Sequence, residues 1–295
     1  REMARPGSPQ TRLQMAGQII RRAQRFENTH GVTIGRVMEA PHATFVPATF
    51  PALLAVGFEA AMVTPDLLQH DPGSAPWPAA FGLAGDGEFG GLPWIPRIRW
   101  RQGWHTDVLL AAFLRQPMVV AGHHNDIRDG LEAMGEIANT INRQGEVTWS
   151  PTDELVRRRA RRRIEGETLF VKTYAVRATI SVPEGIRSLV LERGGPTGSF
   201  AGPITVSQEG QTIASLASSD PVVGPISVRG RGEVSVLRTV PKAVGPDDVP
   251  APRTSVWPVI RKVIMEVRDR SQPVRHRATR RRSRPATAVP VSGGA

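Results

Sequence analysis

The sequence VTIGRVMEAPHATFVPATFPALLAVGFEAAMV at residues 32–63 decides the fold class of the first half of the chain. The run Val32 to Met38 predicts a strand, and Thr49 to Val56 predicts a helix that tolerates Pro51 in its first turn. The apolar run Phe58 to Val63 predicts a second strand. Strands that alternate with helices are typical of a parallel sheet or a (β/α) barrel.

The same alternation continues on both sides of this stretch. A helix with one apolar face is predicted at about Pro9 to Glu27, and Gly31 is suited to a left-handed cap after it. Downstream, the periodicity predicts a strand, helix, strand, helix, strand and helix in turn, at Leu92–Trp100, Thr106–Arg115, Met118–Gly122, Asp129–Gln144, Glu146–Trp149 and Pro151–Arg163. Pro93 and Pro96 predict that the first of these strands lies at a sheet edge.

Beyond residue 165 the hydrophobic period changes. From Phe170 to Val182 apolar residues alternate with polar ones, which indicates a half-buried strand of an antiparallel sheet. Further short runs separated by Gly/Pro turns predict a small antiparallel β-sandwich. The predicted fold class is α/β plus all-β: a partial distorted (β/α) barrel at 1–165, the sandwich at 166–240, a Pro-rich linker at 241–254, a terminal helix at 255–270 and a disordered basic tail at 271–295.

The net charge of +11 is unevenly distributed. Six of the seven residues from Arg157 to Arg163 are arginine, and residues 268–295 hold eight arginines against one aspartate. The remainder of the chain is close to neutral, so the charge indicates solvated basic segments rather than a folded face that binds phosphates. We therefore expect no specific nucleic-acid partner.

Composition limits the remaining classes. A hydrophobic content of 40% in 295 residues is enough for a sizeable core, and no uninterrupted apolar window is long enough to predict a membrane span. The chain has no cysteine, so metal ligands are restricted to His, Asp and Glu. Because residue 1 is Arg, we expect the chain to be part of a longer protein. The compartment and the oligomeric state stay open.

Two short stretches place histidine and carboxylate where a predicted strand meets a helix: the segment EAPHA, with Glu39 and His42, and the segment GHHND, with His123, His124 and Asp126. In (β/α) barrels the chemistry lies at the carboxyl ends of the strands. His123 and His124 point to opposite faces of an extended chain, so one of them faces a site, whereas His124 and Asp126 share a face. Asp126 can instead cap the following helix.

The long Pro/Gly-rich connection from Thr64 to Gly91 predicts a functional or mobile loop, with Asp86 facing the site. Aromatic side chains are concentrated around it. Trp94 is a candidate for stacking on a sugar ring, together with its neighbours Trp77, Trp100 and Trp104. The alternative is that these tryptophans form a core.

The run Arg36–Ala61 and the run Pro117–Asp126, followed by Glu146-Val-Thr-Trp, resemble in this order the polysaccharide deacetylase (NodB-homology) family. In that family an Arg-x-Pro-x-Gly-like motif at a strand end precedes a helix, and a Gly-Phe pair opens the next strand. The second run is similar to the family's late Leu-x-His strand. The resemblance covers about residues 10 to 163.

The resemblance implies a distorted (β/α) barrel in which a divalent metal, zinc or similar, polarises an N-acetyl carbonyl and activates water. It implies that an aspartate acts as base and the late-strand histidine as acid. His123 matches that histidine best, with His124 and Asp126 as a polar pair, whereas Glu39 and His42 fall in the substrate-binding motif. The family's Asp-Asp and His-x-x-x-His motifs are absent from this sequence. The metal ligands are therefore expected upstream of the chain, with no metal bound tightly by this chain alone.

The function implied is a polysaccharide deacetylase-like hydrolase that removes N- or O-acetyl groups from a carbohydrate and is incomplete in this chain. The alternative is a non-catalytic relative that binds carbohydrate or a partner protein through the same cleft.

Overall fold

The computed structural model describes residues 8–39, 46–64, 88–123, 126–128, 130–193, 202–217, 222–240, 244–250, 256 and 259–267. The chain divides into two compact units, Arg1–Ala251 and Pro252–Ala295. In the first unit, helices are mixed with four sheets, and the described strands close no barrel. The described part of the second unit contains the helix 259–267. Among the described residues, no helix combines the length and the apolar character needed to cross a bilayer.

The first helix, α1, covers Pro9–His30. The Ser8 hydroxyl caps its start by accepting the backbone N–H of Thr11 at 3.2 Å. Gly31 ends it with φ = 65°, which confirms the predicted left-handed cap. The apolar face of α1 packs in one core with helix α2, Phe50–Ala55, which follows a short 3-10 turn at Pro47–Thr49.

The α/β part is built on a four-stranded sheet in the order β1-β2-β4-β3. Its strands are β1 Val37–Glu39, β2 Ala60–Val63, β3 Glu88–Phe89 and β4 Leu92–Pro96. Strands β1, β2 and β4 are parallel, whereas β3 is antiparallel to β4. The edge position predicted from Pro93 and Pro96 is wrong, because β4 lies between β2 and β3. Successive N–H groups of a strand point to opposite neighbours. Each proline therefore removes a hydrogen-bond donor from only one of the two ladders.

After Arg97 the chain continues as β5, Ile98–Arg99, which pairs in parallel with β6, Val120–Ala121. The Arg97 N–H donates to the Val63 carbonyl at 2.9 Å, and the Ile98 N–H donates to the Val119 carbonyl at 2.8 Å. These successive donors point to opposite neighbours, so β2 lies on one side of this segment and β6 on the other. Parallel strands therefore follow one another from β1 through β2 and β4–β5 to β6.

Three further helices belong to this part: α3 Trp104–Phe113, α4 Glu132–Asn142 and α5 Thr152–Arg158. The predicted helices are confirmed here with shorter bounds. Trp104, Val108 and Ile141 form a small core with Ile98 and Ala111. Residues 146–149, which were predicted as a strand, are not in one.

The sequence predicted a single helix that continues through the arginine run at 157–163, and this prediction is wrong. Helix α5 stops at Arg158, and Arg159 is extended with φ = −73° and ψ = 104°. Strand β7, Ala160–Glu165, follows and pairs antiparallel with β8, Thr168–Thr173. Pairing with a neighbouring strand outweighs the local helical preference of arginine here.

The remaining strands are β9 Arg177–Val182, β10 Ser188–Arg193, β11 Ile204–Gln208, β12 Gln211–Leu216, β13 Val222–Ser227 and β14 Gly232–Arg238. They form two four-stranded sheets with the orders β13-β10-β8-β7 and β12-β11-β14-β9. Strands β8 and β10 are parallel, so the prediction of wholly antiparallel sheets is wrong. Buried residues of both sheets, including Leu169 and Leu189 of one and Ile180 and Val206 of the other, belong to one core.

Candidate functional site

The carboxyl ends of the parallel strands carry the polar residues of the candidate site. Glu39 is the last residue of β1, Thr64 follows β2, and Arg97 follows β4. His123 lies just beyond β6. Because neighbouring parallel strands end at the same edge of a sheet, these positions share one edge. This is the edge that the sequence predicted for Glu39 and His123.

Arg97 joins the ends of three strands. Its Nη1 donates to the carboxylate of Glu39, and its Nη2 lies 3.3 Å from the hydroxyl of Thr64. The Arg97 side chain is 9% exposed, whereas that of Glu39 is 52% exposed. Thr64 is buried. The Nε of Arg97 is also buried, and it has no hydrogen-bond partner among the described residues. The contact thus links a buried cation to a solvent-facing carboxylate.

His123 and Asp126 form a closed turn after β6. The Asp126 carboxylate accepts the backbone N–H of His123 at 2.6 Å, and the Asp126 N–H donates to the His123 carbonyl at 2.8 Å. Asp126 therefore fixes the backbone of His123, whereas helix α4 starts without a side-chain cap. His123 itself is exposed. Its proposed catalytic role stays a prediction.

Gly122 lies where this turn leaves β6, and there is little room for a side chain at this position. A Cβ at Gly122 would lie 3.0 Å from Asp126 Oδ2 and 3.0 Å from Cε3 of the Trp100 ring. Such distances are shorter than ordinary carbon contacts, so a side chain there would displace the Asp126 carboxylate or the ring. The half-buried Trp100 side chain packs against the core that contains Trp104.

Trp94 lies in the middle of β4, away from this edge. Its side chain is 3% exposed and belongs to the core shared by α1 and α2. Its carbonyl accepts the guanidinium of Arg159 at 2.6 Å. This placement corresponds to the core alternative for Trp94, because a sugar ring stacks only on an exposed aromatic face. Trp77 lies outside the described residues.

His42, Asp86 and His124 lie outside the described residues, and their roles stay predictions. The structure adds two residues that sequence reasoning missed, Thr64 and Arg97. The available signal was the position of Arg97, a charge between Pro96 and Ile98 in the middle of an apolar run. A charged residue in such a run is rarely buried unless it has a partner.

The described residues do not fit the divalent ion that the family resemblance implies. In the part of the chain that the structure describes, no group of three His, Asp or Glu side chains could hold a metal ion. The carboxylate of Glu39 is engaged by Arg97, and that of Asp126 by a backbone N–H. No chemical step through a metal is derived for these residues.

Comparison with known proteins finds no family, no curated protein and no solved structure that matches this chain.

Proposed function

We propose that the chain is the later part of a deacetylase-like hydrolase that removes N- or O-acetyl groups from a carbohydrate. The observation that carries the proposal is the succession of parallel strands β1, β2, β4–β5 and β6 with polar residues at their carboxyl ends. In (β/α)-barrel enzymes the catalytic groups lie at the carboxyl ends of parallel strands such as these.

The partial barrel in this proposal is supported by two free strand edges. Among the described strands, β1 is an edge strand of the four-stranded sheet, and β6 is an edge strand of the β5–β6 pair. In a closed barrel every strand has two neighbours, so further strands would lie between β6 and β1. In the proposal these strands, and the metal ligands, belong to a segment outside this chain. The two β-sheets that share one core form the accessory sandwich.

In this proposal His123 acts as the acid that protonates the leaving group. Histidine is the side chain that most often serves as a general acid, and an exposed imidazole at the strand edge can reach a bound sugar. Asp126 is a positioning residue, since its carboxylate holds the backbone from which His123 projects. Arg97 binds substrate beside it, and Glu39, which lies in the predicted substrate-binding motif, holds the guanidinium of Arg97.

A second function, binding of carbohydrate or a partner protein without catalysis, is favoured by a different observation. Both described carboxylates at the edge, Glu39 and Asp126, already have partners. Each partner occupies a carboxylate oxygen that a general base would need to contact its substrate. A site of this kind recognises polar groups without transferring protons.

An acetate-release assay on the full-length protein with acetylated polysaccharides separates the two functions. We expect His123→Ala to lower the rate by about 10²- to 10⁴-fold, the usual contribution of a general acid. His42→Ala tests the second predicted histidine in the same assay. His105→Ala is the matched control, because His105 is an exposed histidine 3.2 Å from Glu136 on the helices. Equal rates for His123→Ala and His105→Ala would exclude the catalytic role of His123, and polysaccharide binding without acetate release would favour the second function.

A further inference from the structure

The chain contains two arginine–glutamate pairs at opposite ends of β2, and they differ in which partner is buried. At the amino end, Glu59 receives two hydrogen bonds from Arg157, at 2.8 and 3.0 Å. Glu59 is 12% exposed and Arg157 is 30% exposed. Both carboxylate oxygens are used, so this pair is closed.

The pair at the carboxyl end has the opposite arrangement. Arg97 is 9% exposed and Glu39 is 52% exposed. Arg97 contacts Glu39 through Nη1, its contact with Thr64 is at the long limit of 3.3 Å, and its Nε has no hydrogen-bond partner in the described chain. Toward the described residues, the guanidinium therefore uses only part of the five-donor fork that it can offer to a carboxylate.

A buried cation needs an anionic or polar partner, because an unpaired charge in the interior is costly. An exposed carboxylate at the end of a three-residue strand has no such need, since water solvates it when it swings away. Glu39 can leave this contact at little cost, provided that another carboxylate takes its place.

We propose that Arg97 is a carboxylate-binding residue and that Glu39 occupies its guanidinium until a ligand carboxylate replaces it. The class of ligand follows from the internal occupant: Glu39 places a carboxylate against this guanidinium, and a ligand carboxylate matches the same planar fork. The carboxylate has two possible sources, an acetate ion or the uronate group of an acidic sugar. The second source rests on the proposed function, because it makes the sugar that is bound at this edge an acidic one.

Calorimetric titration of the full chain tests this exchange with three probes: acetate, methyl glucuronide and the neutral methyl glucoside. We expect Glu39→Gln to bind carboxylates more tightly than the natural chain by about tenfold to a hundredfold, the range that corresponds to loss of one competing charge-assisted hydrogen bond. Arg97→Gln should abolish the binding of both carboxylates. Glu59→Gln, which opens the pair at the other end of β2, is the matched control and should leave the carboxylate affinity unchanged.

The probes distinguish the sources. Equal affinities for acetate and methyl glucuronide assign the site to a free carboxylate, and tighter binding of the glucuronide assigns it to an acidic sugar. An unchanged or weaker carboxylate affinity in Glu39→Gln, or an equal gain for the neutral glucoside, overturns the proposal. Glu39→Asp gives a second measurement if the first variant is unstable, since its shorter side chain should also release Arg97 and tighten binding. Acetate release by the full-length protein is measured separately, so its absence refutes the hydrolase and leaves the carboxylate site standing.

Discussion

The ion pair between Arg157 and Glu59 allows a direct test of what stabilises the first unit. Glu59 comes directly before β2, and Arg157 lies in the last turn of α5. The two residues are 98 positions apart in the sequence. Their contact therefore fixes α5 against the amino end of the parallel sheet, just before the chain enters β7.

The exposed fractions determine the expected cost of breaking this pair. Arg157→Gln removes two charge-assisted hydrogen bonds and leaves the Glu59 carboxylate, which is 12% exposed, with Arg177 at 3.9 Å as its remaining cation among the described residues. Each such bond contributes about 1.5 to 3 kcal/mol when fully buried. Because Arg157 is 30% exposed, solvent screening lowers this, and we expect Arg157→Gln to reduce the free energy of unfolding by about 2 to 3 kcal/mol.

Glu59→Gln should cost less, since Arg157 keeps Asp153 at 3.3 Å and is partly solvated. We expect a loss of about 1 kcal/mol for Glu59→Gln. The double variant should lose less than the sum of both single variants, with a coupling energy of about 1 to 2 kcal/mol.

Urea unfolding at pH 7, followed by far-UV circular dichroism, measures these differences from the midpoints and slopes. Arg158→Gln is the matched control, because Arg158 is the next residue of the same helix and its pairs with Glu154 and Glu233 are exposed. Exposed pairs contribute about 0 to 1 kcal/mol. A loss for Arg157→Gln no larger than that for Arg158→Gln, or a coupling energy of zero, would refute the reasoning.

Two further predictions concern α1. Gly17→Leu should destabilise the first unit by about 1 to 3 kcal/mol through overpacking, because even a Cβ at Gly17 would lie 2.9 Å from the Val249 side chain; an unchanged urea midpoint would contradict this contact. The hydrogen bonds of Glu27 with the Arg36 side chain and with the Ile34 N–H hold the pKa of Glu27 below its usual value of 4.5. The stability that Glu27 contributes is therefore complete above that pH and is lost as the pH falls through the lowered pKa. The difference in urea midpoint between the natural chain and Glu27→Gln should shrink over that range, and a constant difference would show that ionisation of Glu27 is not involved.

Local sequence signals predicted the elements whose causes are local. The Gly31 cap and the helices α1 and α4 follow from apolar spacing and cap chemistry within one or two turns. The arginine run shows the limit of this reasoning. Its charge predicted a solvated segment, yet Arg157 holds Glu59 and Arg159 donates to the carbonyl of Trp94, 65 positions away. Partners so distant leave no mark on the local pattern.

The candidate site was predictable in position and only partly in composition. Strand ends in an alternating α/β pattern place Glu39 and His123 at one edge before any coordinates are known. The partner of Glu39 could not be predicted in this way, because Arg97 is 58 positions away and its burial depends on the placement of the β4–β5 segment between β2 and β6. The hydrophobic period of the sequence indicates which residues face a core. It does not indicate which charged side chain lies beside a given carboxylate after folding.

We expect the placement of the two arginine–glutamate pairs to separate stability from binding along a single strand. In (β/α)-barrel enzymes the amino ends of the strands serve stability and the carboxyl ends serve activity. The Arg157–Glu59 pair lies before β2. The Arg97–Glu39 pair contacts Thr64, which follows β2, so the positions of the two pairs match this division. Glu59→Gln should therefore move the urea midpoint and leave carboxylate affinity unchanged. Glu39→Gln should raise carboxylate affinity, and it should also move the midpoint, because it leaves the buried Arg97 without its anionic partner. If Glu59→Gln raised carboxylate affinity as well, the two ends of the sheet would be one cooperative network, and neither pair could be assigned a separate role.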